Sequence, residues 1–239
     1  MNEIEAGGMQ TGATRVHDTI GAITRHIRTN ALAPGDRLPS EAFFSDNLKV
    51  SRTVVREAFR SLAALRLIDL SAGRRATVAR VDHGAMSAII EHGVHTDQIS
   101  VHQIYDVRRT IETRTAALAA LHRTDAQAAR IVGLAQAMAR DIDTPPAVME
   151  HDLAMHIAIA EAARNPVFAM IVGAFEGVTR ETWPIGWRSR TSRKEQLVMI
   201  DLHIALAEAI ATGDPARAAE LMAEHFDVSV RALIAAGIA

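Results

Sequence analysis

The chain has 239 residues, 49% of them hydrophobic but only 4% aromatic, with 26 Lys or Arg against 28 Asp or Glu and no cysteine. That length allows one large domain or two small ones, each able to bury a core, and the lack of cysteine excludes a disulfide framework or a thiolate metal site. Abundant Ala, Leu, Ile and Met with few aromatics favour packed helices over a sandwich or barrel.

The N-terminal stretch Met1 to Gly12 is small and polar without an apolar signal core, and no apolar run approaches the ~20 residues of a membrane span, so a cytoplasmic protein with no membrane partner is expected. Charge is unevenly spread. Residues 14–82 hold 12 Lys or Arg against 7 Asp or Glu, a net of +5, while residues 83–239 hold 14 against 19, a net of −5. A basic front third is the footprint expected of a nucleic-acid module.

From Thr14 to Leu32, apolar side chains at Val16, Ile20, Ile23, Ile27 and Ala31 predict an amphipathic helix, ended by Pro34-Gly35. A second short helix is expected from Ser40 to Asn47, with Ser40 as N-cap and Glu41 in the positive first turn. A third runs from Ser51 to Leu65. Its Val55, Ala58, Phe59 and Leu62 form a core face, leaving Ser51, Arg52, Thr53 and Arg56 exposed at its start. Hydroxyls at that place can take phosphate, and arginines can take phosphate or a guanine edge. Two β-prone runs, 67–70 and 76–79, flank the basic tip Ser71-Ala72-Gly73-Arg74-Arg75 and read as a hairpin. Three helices followed by a basic hairpin predict a winged helix-turn-helix ending near Asp82, behind a flexible tail over residues 1–13.

Beyond residue 83 the pattern is helical throughout, with segments expected at 84–94, 100–123, 125–141, 146–164, 166–183, 193–212 and 215–236. Thr124 with Gln127, and Ser192 with Glu195, form capping boxes. Pro145-Pro146, Asn165-Pro166 and Gly213-Asp214-Pro215 are breaks with proline near a helix start, where its missing N–H is harmless. The expected fold class is therefore mainly α: the winged unit, then an all-α antiparallel bundle over 83–239.

Asp152 and His156 are four apart and share a helix face. His203 and His225 lie in the last two helices, which a short turn folds back on each other. One carboxylate and three imidazoles suit Zn²⁺ or a similar divalent ion. Spacing by itself is a weak signal, since histidines on an apolar face are usually satisfied core residues. The remaining histidines, His151 among them, show no matched partner, and Trp183 and Trp187 read as core or lid packing.

The runs Leu38-Pro39-Ser40-Glu41, Val50-Ser51-Arg52-Thr53-Val54-Val55-Arg56-Glu57-Ala58 and Leu62-Ala63-Ala64-Leu65-Arg66-Leu67-Ile68 resemble the winged-helix domain of GntR-superfamily regulators. The helical remainder is similar to the effector domain of their FadR-like (FCD) branch, so the resemblance spans about residues 14 to 235. It implies that Ser51, Arg52, Thr53 and Arg56 face DNA and that Gly73 sits at the wing tip. Family members usually carry Arg after the Leu-Pro-Ser-Glu run, where this chain has Ala42, and often a hydroxyl residue where it has Val54. Arg37, Arg74 and Arg75 could compensate. The resemblance also implies a metal held by Asp152, His156, His203 and His225 (zinc first, with nickel, manganese or iron as alternatives).

Arg108, four residues before Glu112, matches a family arginine at the start of the effector domain. It is expected to hold the carboxylate of a small organic acid, unless it merely pairs with Glu112. The function implied is a one-component bacterial transcription regulator, expected as a repressor and not an enzyme. It would bind a pseudo-palindromic double-stranded operator as a homodimer and respond to that acid. A metal enzyme acting on a small carboxylate, and a metal-stabilised regulator with no small effector, are the competing readings.

Overall fold

The computed structural model describes residues 12–238 and divides the chain into two compact units, Met1–Ala85 and Met86–Ala239. The expected tail over residues 1–13 lies outside the described residues except for Gly12 and Ala13, which begin the first helix.

In the first unit α1 (Gly12–Thr29), α2 (Glu41–Leu48) and α3 (Arg52–Ala64) precede a hairpin of β1 (Ile68–Asp69) and β2 (Thr77–Val78). Ser40 Oγ accepts from the Phe43 N–H at 3.2 Å and Ser51 Oγ from the Val54 N–H at 3.3 Å, so both short helices start on a side-chain cap. Between them Lys49 takes a left-handed conformation (φ 56°), which ends α2 and turns the chain into α3.

The hairpin is antiparallel, with Ile68 opposite Val78. The turn after α1 adds a third edge to it: Gly35 N–H donates to Val78 O, Val78 N–H to Asp36 O, and Leu38 N–H to Ala76 O, all at 2.8–2.9 Å. One apolar cluster of Ile23, Leu38, Phe44, Val55, Phe59, Leu62 and Ile68 holds helices and hairpin together, each of these 3% exposed or less. Beyond the wing, Asp82 takes two hydrogen bonds from Arg66 Nε and one from its Nη2, and accepts the Gly84 N–H at 2.9 Å. Those bonds tie residues 82–84 to the first unit, whose boundary falls after Ala85.

Helices continue as α4 (Gly84–His95), α5 (Val101–His122), α6 (Asp125–Arg140), α7 (Pro145–Ala162), α8 (Pro166–Ala174), α9 (Glu176–Ser189), α10 (Arg193–Thr212) and α11 (Pro215–Ala235). Five of them open on capping boxes or capped prolines: Ser100/Gln103 at α5, Thr124/Gln127 at α6, Asn165 before Pro166 at α8, Ser192/Glu195 at α10, and Asp214 before Pro215 at α11. Gly213, at φ 79°, caps α10 in the left-handed conformation and leaves room for a turn so short that α10 and α11 must run antiparallel.

Helix α5 packs on α11 and α7, α6 on α7 and α10. Small residues such as Ala116, Ala119, Ala135, Ala158 and Ala207 lie where these helices meet and let them approach closely around Ile131, Met138, Ile159, Leu206 and Phe226. The single helix expected over 166–183 is two. The chain breaks at Phe175, whose ring turns into a separate cluster with Ile104 and Val178, and α9 then runs through Pro184 to Ser189. No helix among the described residues is long and apolar enough to cross a membrane.

Candidate functional site

The first unit carries two groups of basic residues. Arg52, Thr53 and Arg56 are exposed on the first turns of α3, opposite the buried Val55, Ala58 and Phe59, while Ser51 is exposed but spends its hydroxyl on capping. Arg56 Nε lies 3.7 Å from a Glu41 carboxylate oxygen, a surface pair that links α3 to α2. The second group is at the wing. Arg37 bridges to Thr77 and shares an open groove with Ser71, Gly73, Arg74 and Arg75. Gly73 has φ 70°, a conformation that favours glycine at the tip. Ala42 and Val54, the two departures, are half-buried and offer no polar atom to a partner.

In the second unit Asp152, His156, His203 and His225 converge although α7, α10 and α11 supply them from distant parts of the chain. All four are buried, and each offers a ligand atom within 4.8 Å of the others. The outer nitrogens explain which atoms face inward. His203 Nδ1 lies 2.8 Å from the Met199 carbonyl, and His156 Nδ1 contacts a Glu112 oxygen. With Nδ1 so engaged, Nε2 of both rings is the nitrogen left to face the other two side chains, the arrangement by which outer partners orient metal-binding histidines.

Asp152 Oδ1 is 2.6 Å from His203 Nε2 and 3.7 Å from His156 Nε2. The shorter approach is not aligned as a hydrogen bond, so Asp152 Oδ1, His203 Nε2 and His225 Nδ1 are all buried without a hydrogen-bond partner. Burial pushes the Asp152 carboxyl up, but the three imidazoles outweigh it and hold it well below the usual carboxylate range. Burial, with the neighbouring His203 and His156, drives His225 far below the ordinary histidine value, leaving it neutral. An anionic oxygen and a neutral imidazole aimed at one point are what a divalent cation requires, and the residues fit one.

The same four side chains line an internal cavity of about 40 Å³ with Arg108, Arg190 and Trp187. Arg108 is 4% exposed; its Nε donates to Glu112 at 2.7 Å and its Nη1 to the Thr179 hydroxyl at 2.7 Å. Its guanidinium carbon lies 5.5 Å from the Tyr105 ring centre and 5.1 Å from that of Phe226. Arg108 therefore both pairs with Glu112 and reaches the cavity, where no hydrogen bond from the described residues occupies Nη2.

Burial raises the Glu112 carboxyl, but Arg108 and His156 together hold it below its ordinary value. Its role in bridging those two residues has no signal in the sequence beyond the four-residue step to Arg108. Thr179 and Arg190 have none at all. Trp183 and Trp187 stack with ring centres 5.0 Å apart and both border the cavity. Arg109 is half-buried and pairs with Asp227 at 2.8 Å.

Two family models match the chain: "Bacterial regulatory proteins, gntR family" over residues 16–78 and the FCD domain over residues 103–228. Among curated relatives, the galactonate operon transcriptional repressor of Escherichia coli is 30% identical over 87% of this chain and 91% of its own length. The regulator LutR of Bacillus subtilis is 27% identical over 83% and 92%. A solved GntR protein of Streptococcus agalactiae has the same fold, with a TM-score of 0.69 at 21% identity over 90% of this chain and 98% of that one. These relatives are described as regulators of transcription, not enzymes. With a capped, basic winged helix at one end and a buried Asp-His₃ cluster at the other, the chain belongs to the GntR family of bacterial transcription regulators, in the branch with an FCD effector domain.

Proposed function

We propose that this chain is an acid-responsive repressor that grips a pseudo-palindromic operator as a homodimer and holds a divalent ion, zinc first, on Asp152, His156, His203 and His225. The observation that carries the ion is the convergence of three buried, unpartnered donor atoms on one point. Burying such atoms without partners costs about 1–3 kcal/mol each, which an ion would recover. When bound, the ion would supply a Lewis-acidic anchor for one end of a carboxylate. Arg108, held rigidly by Glu112 and Thr179, would present its remaining N–H groups to the same group.

On the DNA side, Arg52, Thr53 and Arg56 would meet the major groove, with Ser51 fixing the start of α3. Gly73, Arg74 and Arg37 would follow the backbone at the wing. The relative named for the galactonate operon supports beginning the search for the effector among small organic acids, sugar acids included. The test is selection of duplexes from a random pool by the zinc-loaded protein, then a gel shift on the winning sequence with a panel of such acids. Release by one acid supports the reading. Binding that no acid relieves favours a second reading, in which the ion only stabilises the bundle. The small volume of the cavity speaks for that reading.

A further inference from the structure

Two guanidiniums reach the cavity, and they are not equivalent. Arg108 is neutralised by Glu112 at 2.7 Å. The guanidinium of Arg190, the residue that follows α9, makes one hydrogen bond among the described residues, from Nη1 to the Gly186 carbonyl at 2.7 Å, and no carboxylate among them lies at ion-pair distance from it. Burial lowers its affinity for a proton by more than Asp152, Tyr105 and Glu195 raise it. Capping the last turn of α9 explains one of its N–H groups, but a cap has no need to sit against an internal cavity.

The charge balance points the same way. Arg108, Arg190 and Asp152 are the charged side chains lining the cavity, and Glu112 stands directly behind Arg108. These four cancel. A dication held by neutral imidazoles would leave two positive charges in a largely buried space, which a monocarboxylate neutralises only in part.

Resting on the effector reading above, we propose that the site is built for an acid with two anionic ends: one carboxylate beside the ion and Arg108, the other paired with Arg190. Arg190 is thus the residue that sets specificity between dianions and monoanions. It is a binding residue whose partner is the distal carboxylate.

The test uses the full chain loaded with one equivalent of Zn²⁺, its retention checked after each titration. The probes are malonate, succinate and glutarate, each paired with its half-amide, which keeps the shape and removes one charge. Binding is read by calorimetry and by tryptophan fluorescence, because the only two tryptophans of the chain, Trp183 and Trp187, both border the cavity. The best dicarboxylate should bind about tenfold or more tighter than its half-amide, as expected when a charged pair replaces a neutral one. Arg190→Gln should bring the two within about twofold, Arg190→Lys should restore part of the difference, and Arg108→Gln should weaken both probes.

Equal binding of acid and half-amide, or loss of both alike in Arg190→Gln, overturns the inference while leaving the effector reading intact. If zinc binds but no dicarboxylate does, the inference falls. If zinc itself does not bind, the reading beneath it falls too. An unchanged zinc-dependent melting shift in Arg190→Gln verifies that the variant is folded.

Discussion

Adding zinc to metal-free protein should raise the melting temperature of the second unit, and His203→Ala should abolish the rise. The reason is local. Three donor atoms lie buried and unpartnered close to one another, so the native state gains from the ion what the unfolded chain, with its ligands scattered along 74 residues of sequence, cannot. A ligand that binds only the folded form at a hundred times its dissociation constant stabilises it by about 2.7 kcal/mol. In a domain of about 150–250 residues each kcal/mol moves the midpoint by about 2–4 °C, so the rise should be about 5–11 °C. The assay is differential scanning calorimetry with and without EDTA, with metal content measured in parallel. His203→Ala deletes one inward nitrogen and keeps the other three ligands in place. An equal rise in wild type and variant would place the zinc elsewhere and refute the argument.

Arg52→Ala should abolish binding to the selected operator at moderate salt and flatten the salt dependence by about 0.9 in slope for each phosphate the protein no longer neutralises; an unchanged gel shift removes Arg52 from the interface. Phe59, 3% exposed in the first core, should cost about 3–5 kcal/mol when cut to alanine. DNA binding should then disappear while the zinc-dependent rise persists, and coupled loss of both would contradict the separation into two units. Glu112→Gln weakens the grip on His156 and should reduce zinc affinity by about 10–100-fold, read by competition with a chromophoric chelator. Hydrogen bonds from Arg66 and the Gly84 N–H hold the Asp82 carboxyl below its ordinary range. Its stabilisation is therefore complete above the unfolded value of about 4 and fades as pH falls through the folded value. The pair is exposed, so solvent screening keeps the effect small. The melting difference between wild type and Asp82→Asn should be constant above about pH 5 and shrink below about pH 4. A difference independent of pH would be inconsistent with that pairing.

The elements that were legible in the sequence are those written in short-range chemistry. Ser40, Ser51, Thr124 and Ser192 mark helix starts because a cap needs only a hydroxyl and the next turn. The core face of α3 follows from a three- and four-residue rhythm. The Asp152-His156 step is equally local, and the resemblance supplied His203 and His225. What escaped is long-range or context-dependent. Glu112 meets His156 across 44 residues and Arg108 meets Thr179 across 71, and neither pair has a periodic signature. The break at Phe175 carries no Gly or Pro, and Pro184, which reads as a stop, lies inside α9. Arg190 resembles any arginine at a helix end until the cavity beside it is seen.

Glu112 gives one oxygen to His156 and the other to Arg108. A single carboxylate thus touches one of the four residues that would hold the proposed ion and the arginine proposed to grip the acid, so neither can draw it closer without the other feeling the change. If both bind as proposed, such a shared anchor would link the two occupancies thermodynamically, and linkage is reciprocal. Whatever factor the ion contributes to acid affinity, the acid returns to ion affinity, so a cell short of the ion would become deaf to the acid as well.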